Sequence, residues 1–525
     1  MACPTDRPGG SGKKGALNLP DAGVAEPTTI LLASGVIALR EPTTAATPAR
    51  TPVTTPMVEP PDRLPARCAA APTRQPPNRF PATVPTPSAP CPVGGHWPVG
   101  CIALAVRLVT AVKLSLRSIP RVLATVFEFL AGGLTDASVM AWTTVRCWLM
   151  RLGLYALRRP LERADDWAYL IDHTVQIGDV KCCAVVGVRL SQLPYPQRCL
   201  QQKDLSLIVL VPMAHSTAAT VEQALEQAAL RTSVPRQIVS DQGGDVRGGI
   251  ASYCGHHRQT VATCDTAHQG ANLLRRLLEA DERWSAFVSL LGQTKAKVQQ
   301  TSLACCMGPR LRPKARFMNL AAPQRWARWC LGVLDRPWPN DETLSDRQRV
   351  VLATIDREHL EAKLGWLRDY RQAIAQWSQW HEMIQVVVRQ VRRQGIDRDS
   401  VAELQRQFET MDLSPCSRDA AETMLGFIAD QAWGARLGGE RLIGSTEILE
   451  SLFGELKRLE GQQSESGLTG LMLVLGALVS QWTPQEIEEG LKATPWKAVQ
   501  GWLDECLGVT VQSQRRTMQT IFADP

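Results

Sequence analysis

Residues 167–174 read WAYLIDHT, five apolar residues in a row closed by Asp172. Such a short run, rich in aromatic and branched side chains, predicts an extended strand rather than a helix. A carboxylate at the end of that strand costs free energy unless it is paired or bound to a metal ion. Downstream, Val180 to Leu190 (VKCCAVVGVRL) and Asp204 to Met213 (DLSLIVLVPM) predict two more strands. Thr220 to Leu230 (TVEQALEQAAL) has the spacing of an amphipathic helix. Pro235 to Ser240 (PRQIVS) and Gln259 to Cys264 (QTVATC) complete the set as a fourth and fifth strand, giving a mixed α/β order.

Two further carboxylates stand out by position. Asp241 closes the fourth strand in IVSDQGGDVRGG, where glycines let the backbone turn sharply beside it. Glu450 lies in STEILESLFGELKR, a helix whose apolar residues Ile448, Leu449, Leu452, Phe453 and Leu456 would press it against the sheet. Two aspartates on neighbouring strand ends and a glutamate from a helix can hold two divalent ions about 4 Å apart, the arrangement used in phosphodiester chemistry. Hard oxygen ligands suit Mg²⁺ or Mn²⁺. Taken singly, each residue also has a plain reading. Asp241 suits a turn, and Glu450 competes with Glu447 and Glu455 as a solvated helix residue.

Upstream, residues 1 to about 95 hold more than half of the 35 prolines and few large apolar side chains, so an arm (1–100) without a core is expected. From Cys101, apolar residues recur at helical spacing in Val106 to Leu116, Pro120 to Leu130 and Ala137 to Leu157. Gly132-Gly133 would break the second helix and Thr135-Asp136 would cap the third. A helix, a glycine-containing turn and a helix carrying Thr143, Thr144, Arg146 and Arg151 suggest a helix-turn-helix DNA-binding domain over 101–160, with a plain three-helix bundle as the alternative. Between Gln269 and Leu442 almost everything reads helical.

The order of these elements resembles the RNase H-fold DDE transposases, more narrowly the hAT and Mutator-like groups with a helical insertion. CDTAH (Cys264 to His268) matches the [C/D]-x-x-H motif those groups carry at this place, and STEILESLFG is similar to the segment holding the catalytic Glu in bacterial Mutator-like transposases. The resemblance implies a DNA transposase with an RNase H-like mixed sheet interrupted by a large all-α insertion and preceded by a helical, helix-turn-helix-like domain. The core would span 161–268 and 443–485, the insertion 269–442 and a helical tail 486–525. It also implies Asp172, Asp241 and Glu450 as ligands of two Mg²⁺ or Mn²⁺ ions, with His268 near the scissile phosphate or the metals. Trp326, Trp329 or Trp338 would stack on a flipped base. Partners would be transposon terminal inverted repeats, target DNA and a second copy of the chain, in a bacterial, nucleoid-associated setting. His173, directly after Asp172, has no role in that pattern. Two other functions remain open from sequence: a metal-dependent nuclease without strand transfer, and a DNA-binding regulator derived from a transposase.

The rest of the chain adds weaker signals. Cys254, His256, His257, Cys264 and His268 could bind zinc, although their spacing matches no common finger. Lys295, Lys297, Arg310, Arg312, Lys314 and Arg316, with Arg389, Arg392 and Arg393, could contact phosphates or simply be solvated. A net charge of +7 fits a polyanionic partner without requiring one. Hydrophobic content of 44% and a mean hydropathy of −0.12 describe a globular chain, and no run predicts a membrane span. No secretory leader is expected. Fifteen cysteines, an odd number with adjacent pairs at 182–183 and 305–306, read as core residues rather than a disulfide framework and predict a reducing, cytoplasmic setting.

Overall fold

The computed structural model describes residues 97–130, 140–177, 180–241, 243–311, 320–336, 344–435, 439–461, 470–508 and 511–523. The proline-rich arm up to residue 96, the breaker Gly132-Gly133 and the cap Thr135-Asp136 lie outside them.

The chain opens with α1 (Val99–Thr110), α2 (Ser118–Leu130) and α3 (Trp142–Arg158). There follow β1 (Trp167–Ile177), β2 (Val180–Arg189), β3 (Ser206–Met213), α4 (Ala218–Thr232), β4 (Gln237–Ser240), α5 (Gly244–His256) and β5 (Val261–Cys264). These strands form one five-stranded mixed sheet in the order β3-β2-β1-β4-β5. β1, β2 and β3 pair antiparallel, whereas β4 runs parallel to both β1 and β5. All five strands lie within the predicted segments or extend them slightly, because short runs of branched and aromatic apolar residues mark strands buried on both faces.

Period two along β1 sends Ala168 and Leu170 to one face and Trp167, Tyr169 and Ile171 to the other. The second face packs against Val221, Leu225, Val246 and Ile250 of α4 and α5. The first face is shared with α1 and α3 and with four helices from the far end of the chain. These are α14 (Glu447–Glu460), α15 (Val474–Val479), α16 (Pro484–Ala493) and α17 (Trp496–Cys506). A last helix, α18 (Val511–Ala523), follows.

The sequence pattern predicts α1 to α3 as a domain of their own; in the structure they share this core with the sheet. α3 buries Val145, Trp148, Leu149, Leu152 and Leu154, and Gly153 lies so close to residues 470–473 that a Cβ there would sit 1.8 Å from the Leu473 carbonyl oxygen. The first helix also starts and ends earlier than predicted, since Lys113 takes a left-handed φ of 64° that no helix continues through.

From Thr266 to Ala432 the described residues hold helices and short 3-10 turns, with one isolated antiparallel bridge from Ile396 to Leu442. The helices are α6 (Thr266–Ala280), α7 (Glu282–Val298), α8 (Ala321–Asp335), α9 (Asp346–Ala353), α10 (Arg357–Leu364), α11 (Arg371–Gln394), α12 (Ser400–Glu409) and α13 (Pro415–Ala432). They bury a separate core in which Trp284, Phe287 and Trp377 meet edge-on or stacked at 5.1–5.9 Å between ring centres. The chain then returns to the sheet at Ile443.

Candidate active site

The site is built first by strand register. β1 and β4 pair in parallel through Ile171 and Ser240, so Asp172 and Asp241 are the next residues on adjacent strands. Neighbouring strands lie about 4.8 Å apart. Alternation continues from Leu170 to Asp172 and from Val239 to Asp241, which aims both carboxylates at the face covered by α14. Asp172 accepts the His173 N–H at 2.6 Å. Asp241 accepts the Gly243 N–H at 3.1 Å, and a Cβ at Gly243 would come within 3.2 Å of the same oxygen. Glycine therefore suits this turn by its size.

The third carboxylate is delivered by a set of buried polar bonds. Gln237 on β4, fully buried, accepts the Ile443 N–H at 3.0 Å and donates to the Ile443 carbonyl and to Thr263 Oγ1, both at 2.6 Å. The Thr266 N–H donates to the Gly444 carbonyl at 2.9 Å. Asp265, only 2% exposed, caps α6 by accepting the His268 N–H at 2.5 Å. Its other oxygen accepts both the N–H and the hydroxyl of Thr446, the residue preceding α14. One carboxylate thus ties the start of α6 to the start of α14 and fixes where Glu450 stands. Arg392 of α11 grips both oxygens of Glu447, anchoring the same helix from the insertion side.

Electrostatics show that the three carboxylates share one neighbourhood. Burial pushes Asp172 up to about 7, with the Asp241 and Glu450 charges acting in the same direction and the His173 N–H and Lys457 opposing. Glu450 is reached by solvent, yet burial and the charges of Asp265, Glu447 and Asp241 raise its pKa, with His268 pulling the other way. Like charges held this close without a counter-ion disfavour ionisation. Among the described residues, no group of three or more His, Cys, Asp or Glu side chains is placed to hold a metal ion, so Asp172, Asp241 and Glu450 do not converge on one ion position in this structure.

Other expected residues fare differently. His268 sits in the first turn of α6, within electrostatic reach of Glu450. His173 points to the opposite face, where Nε2 meets Ser216 Oγ at 2.9 Å and Nδ1 lies 4.0 Å from Asp245. Thr143 is exposed and Arg146 half-buried on α3. Arg151 corrects the expectation of a DNA-facing guanidinium, because it donates to the carbonyls of Thr494, at 2.7 Å, and Leu491. Those bonds tie α3 to α16. Trp326 is likewise a core residue rather than a base-stacking one, buried with its indole N–H donated to the Cys306 carbonyl at 2.8 Å. Trp329 is 46% exposed, and Trp338 lies outside the described residues.

The zinc reading also gives way, since His256 pairs with Glu222 at 3.0 Å and His257 with Glu226 at 2.7 Å. Of the basic runs, Lys297, Arg310, Arg389 and Arg393 are exposed, Lys295 is half-buried and Arg392 is spent on Glu447. Arg312, Lys314 and Arg316 lie outside the described residues. Of the adjacent cysteines expected in the core, Cys182, Cys183 and Cys306 are buried, but Cys305 is exposed and is no core residue. Sequence reasoning missed Gln237, Arg392 and the clamp role of Asp265. An aspartate just before a helical run was a visible capping signal, but its second partner is 181 residues away.

No protein-family profile matches the chain, and no curated protein matches it by sequence. Among solved structures it is similar to the Drosophila P element transposase strand transfer complex, at 10% identity and a TM-score of 0.34, over 73% of this chain and 92% of that one. A score that low does not establish a shared fold. No helix among the described residues is long and apolar enough to cross a membrane.

Proposed function

We propose that the chain is a DDE-type DNA transposase with an RNase H-like core, cleaving transposon ends and joining them to target DNA. The observation that carries this reading is the side-by-side placement of Asp172 and Asp241 at the ends of parallel strands, with burial and then the charges of Asp241 and Glu450 disfavouring ionisation of Asp172. The strand-end pair Asp172 and Asp241 suits a divalent ion, and Glu450 would have to move towards them to join it. Mg²⁺ takes one or two carboxylates and fills its shell with water and substrate phosphate oxygens, so an open site suits it better than a closed one. Asp172 and Asp241 would hold the ions together, and Glu450 would complete the second position. Glu447 is set aside because Arg392 already neutralises it.

When bound, an ion pair supplies activation of the attacking water or 3′-hydroxyl and stabilisation of the leaving oxygen. The chain's own residues do the positioning. β1 and β4 fix the two aspartates, Asp265 sets α14, and His268 would approach the scissile phosphate or steady the metal site. Terminal inverted repeats, target DNA and a second copy of the chain are the partners this reading requires.

The test is cleavage and plasmid joining with DNA carrying the element's own ends, in Mg²⁺ or Mn²⁺. Wild-type protein should cut and join, and Asp172→Asn, Asp241→Asn and Glu450→Gln should do neither. Cutting without joining would favour a nuclease. If Asp241→Ala left biological activity intact, a non-catalytic regulator would replace the enzyme reading.

A further inference from the structure

α14 carries more than Glu450. At about 100° per residue, Ile448, Ser451 and Glu455 form a face of the helix centred about 130° round from Glu450. That face borders a groove of about 780 Å³ lined by Arg107, Lys113, Lys203, Ser451, Glu455 and Trp482 among others. Three cations face one acid there. The acid is already neutralised, since Glu455 lies 3.8 Å from Lys113 and 3.0 Å from Arg458. Among the described residues, Arg458 Nη2 is buried with no hydrogen-bond partner.

Lys113 is the unusual member. Its backbone sits at φ 64°, a conformation that side-chain-bearing residues adopt only at a cost. That turn brings its ammonium to 3.4 Å from Gln202 Oε1, and burial lowers its pKa, with Arg458 adding to the effect against Glu455. Gln202 in turn donates to Ser451 Oγ at 3.3 Å, linking the turn to the residue after Glu450. The cationic groove is therefore joined to the helix that carries the carboxylate site.

We propose that this groove holds the phosphodiester backbone of DNA where it runs on past the carboxylate site, across α14 from Glu450. Duplex DNA carries one negative charge per about 1.7 Å, so a strand presented to Glu450 must run on over adjacent surface, and cations there are favoured. The groove deepens the transposase reading and rests on it for the identity of the polyanion.

Fluorescence anisotropy with a labelled duplex, at rising salt and without divalent metal, tests it. Each phosphate contact contributes about 0.9 to the slope of log affinity against log salt, so Arg107→Ala/Lys113→Ala/Lys203→Ala should flatten that slope by about 2.7. Between about 50 and 200 mM salt, wild-type affinity should then fall about 40-fold more than the variant's. Lys203→Ala alone, on an exposed side chain, should flatten the slope by about 0.9 and guards against misfolding of the triple variant. Unchanged slopes in both variants would overturn the proposal, as would displacement of the duplex by a mononucleotide at equal phosphate concentration. Groove-dependent binding by a protein that never cleaves DNA would keep the groove and sink the enzyme reading. Metal-dependent cleavage with groove-independent binding would do the reverse.

Discussion

Replacing Asp172 by asparagine removes one buried carboxylate while keeping an oxygen to accept the His173 N–H. The folded-state pKa, pushed up to about 7, lies above the ordinary aspartate value of 3.8. The native state therefore binds its proton more tightly than the unfolded chain, and ionisation destabilises the fold as pH rises from about 4 towards about 7. At 1.36 kcal/mol per tenfold, the metal-free penalty is at most about 1.7 kcal/mol at about pH 5 and about 4 kcal/mol at about pH 8. Asp172→Asn should consequently melt several degrees above wild type at about pH 8, with a smaller gap at about pH 5. Millimolar Mg²⁺ should raise the melting temperature of wild type at the higher pH and leave the variant nearly unmoved, because the ion supplies the missing counter-charge. The assay is thermal melting followed by circular dichroism in the four combinations of pH and metal. A variant that melts below wild type at about pH 8, or a gap independent of pH, would refute the account of a carboxylate cluster held against its own repulsion.

Three further outcomes follow from the packing. Asp265→Ala strips the α6 cap and both bonds to Thr446, so a loss of about 2–4 kcal/mol is expected, read as a lower denaturation midpoint together with lost cleavage. Gly153→Ala drives a Cβ into the Leu473 carbonyl and should cost several kcal/mol or prevent folding, measured by soluble yield and melting. Arg151→Ala should lower the melting temperature through the lost bonds to Leu491 and Thr494, while the salt dependence of DNA binding stays unchanged; a flattened slope would restore Arg151 as a phosphate contact.

What the sequence determined by itself was the sheet and its two aspartates. A short apolar run closed by a charged residue marks where a strand ends, and the two-residue period of a strand says which side each residue takes, both local properties of β1 and β4. The long helical span after β5 was legible for the same reason. Helical periodicity could not say what each helix packs on, so α3 read as a DNA-reading helix until its apolar face met the sheet and Arg151 met two carbonyls. Nor could it say which acid of α14 is paired. The pairing of Glu447 with Arg392, and of the start of the helix with Asp265, comes from residues 55 and 181 positions away in the chain. Partners so distant in sequence are chosen by tertiary packing, because only the folded core brings their side chains within hydrogen-bonding range.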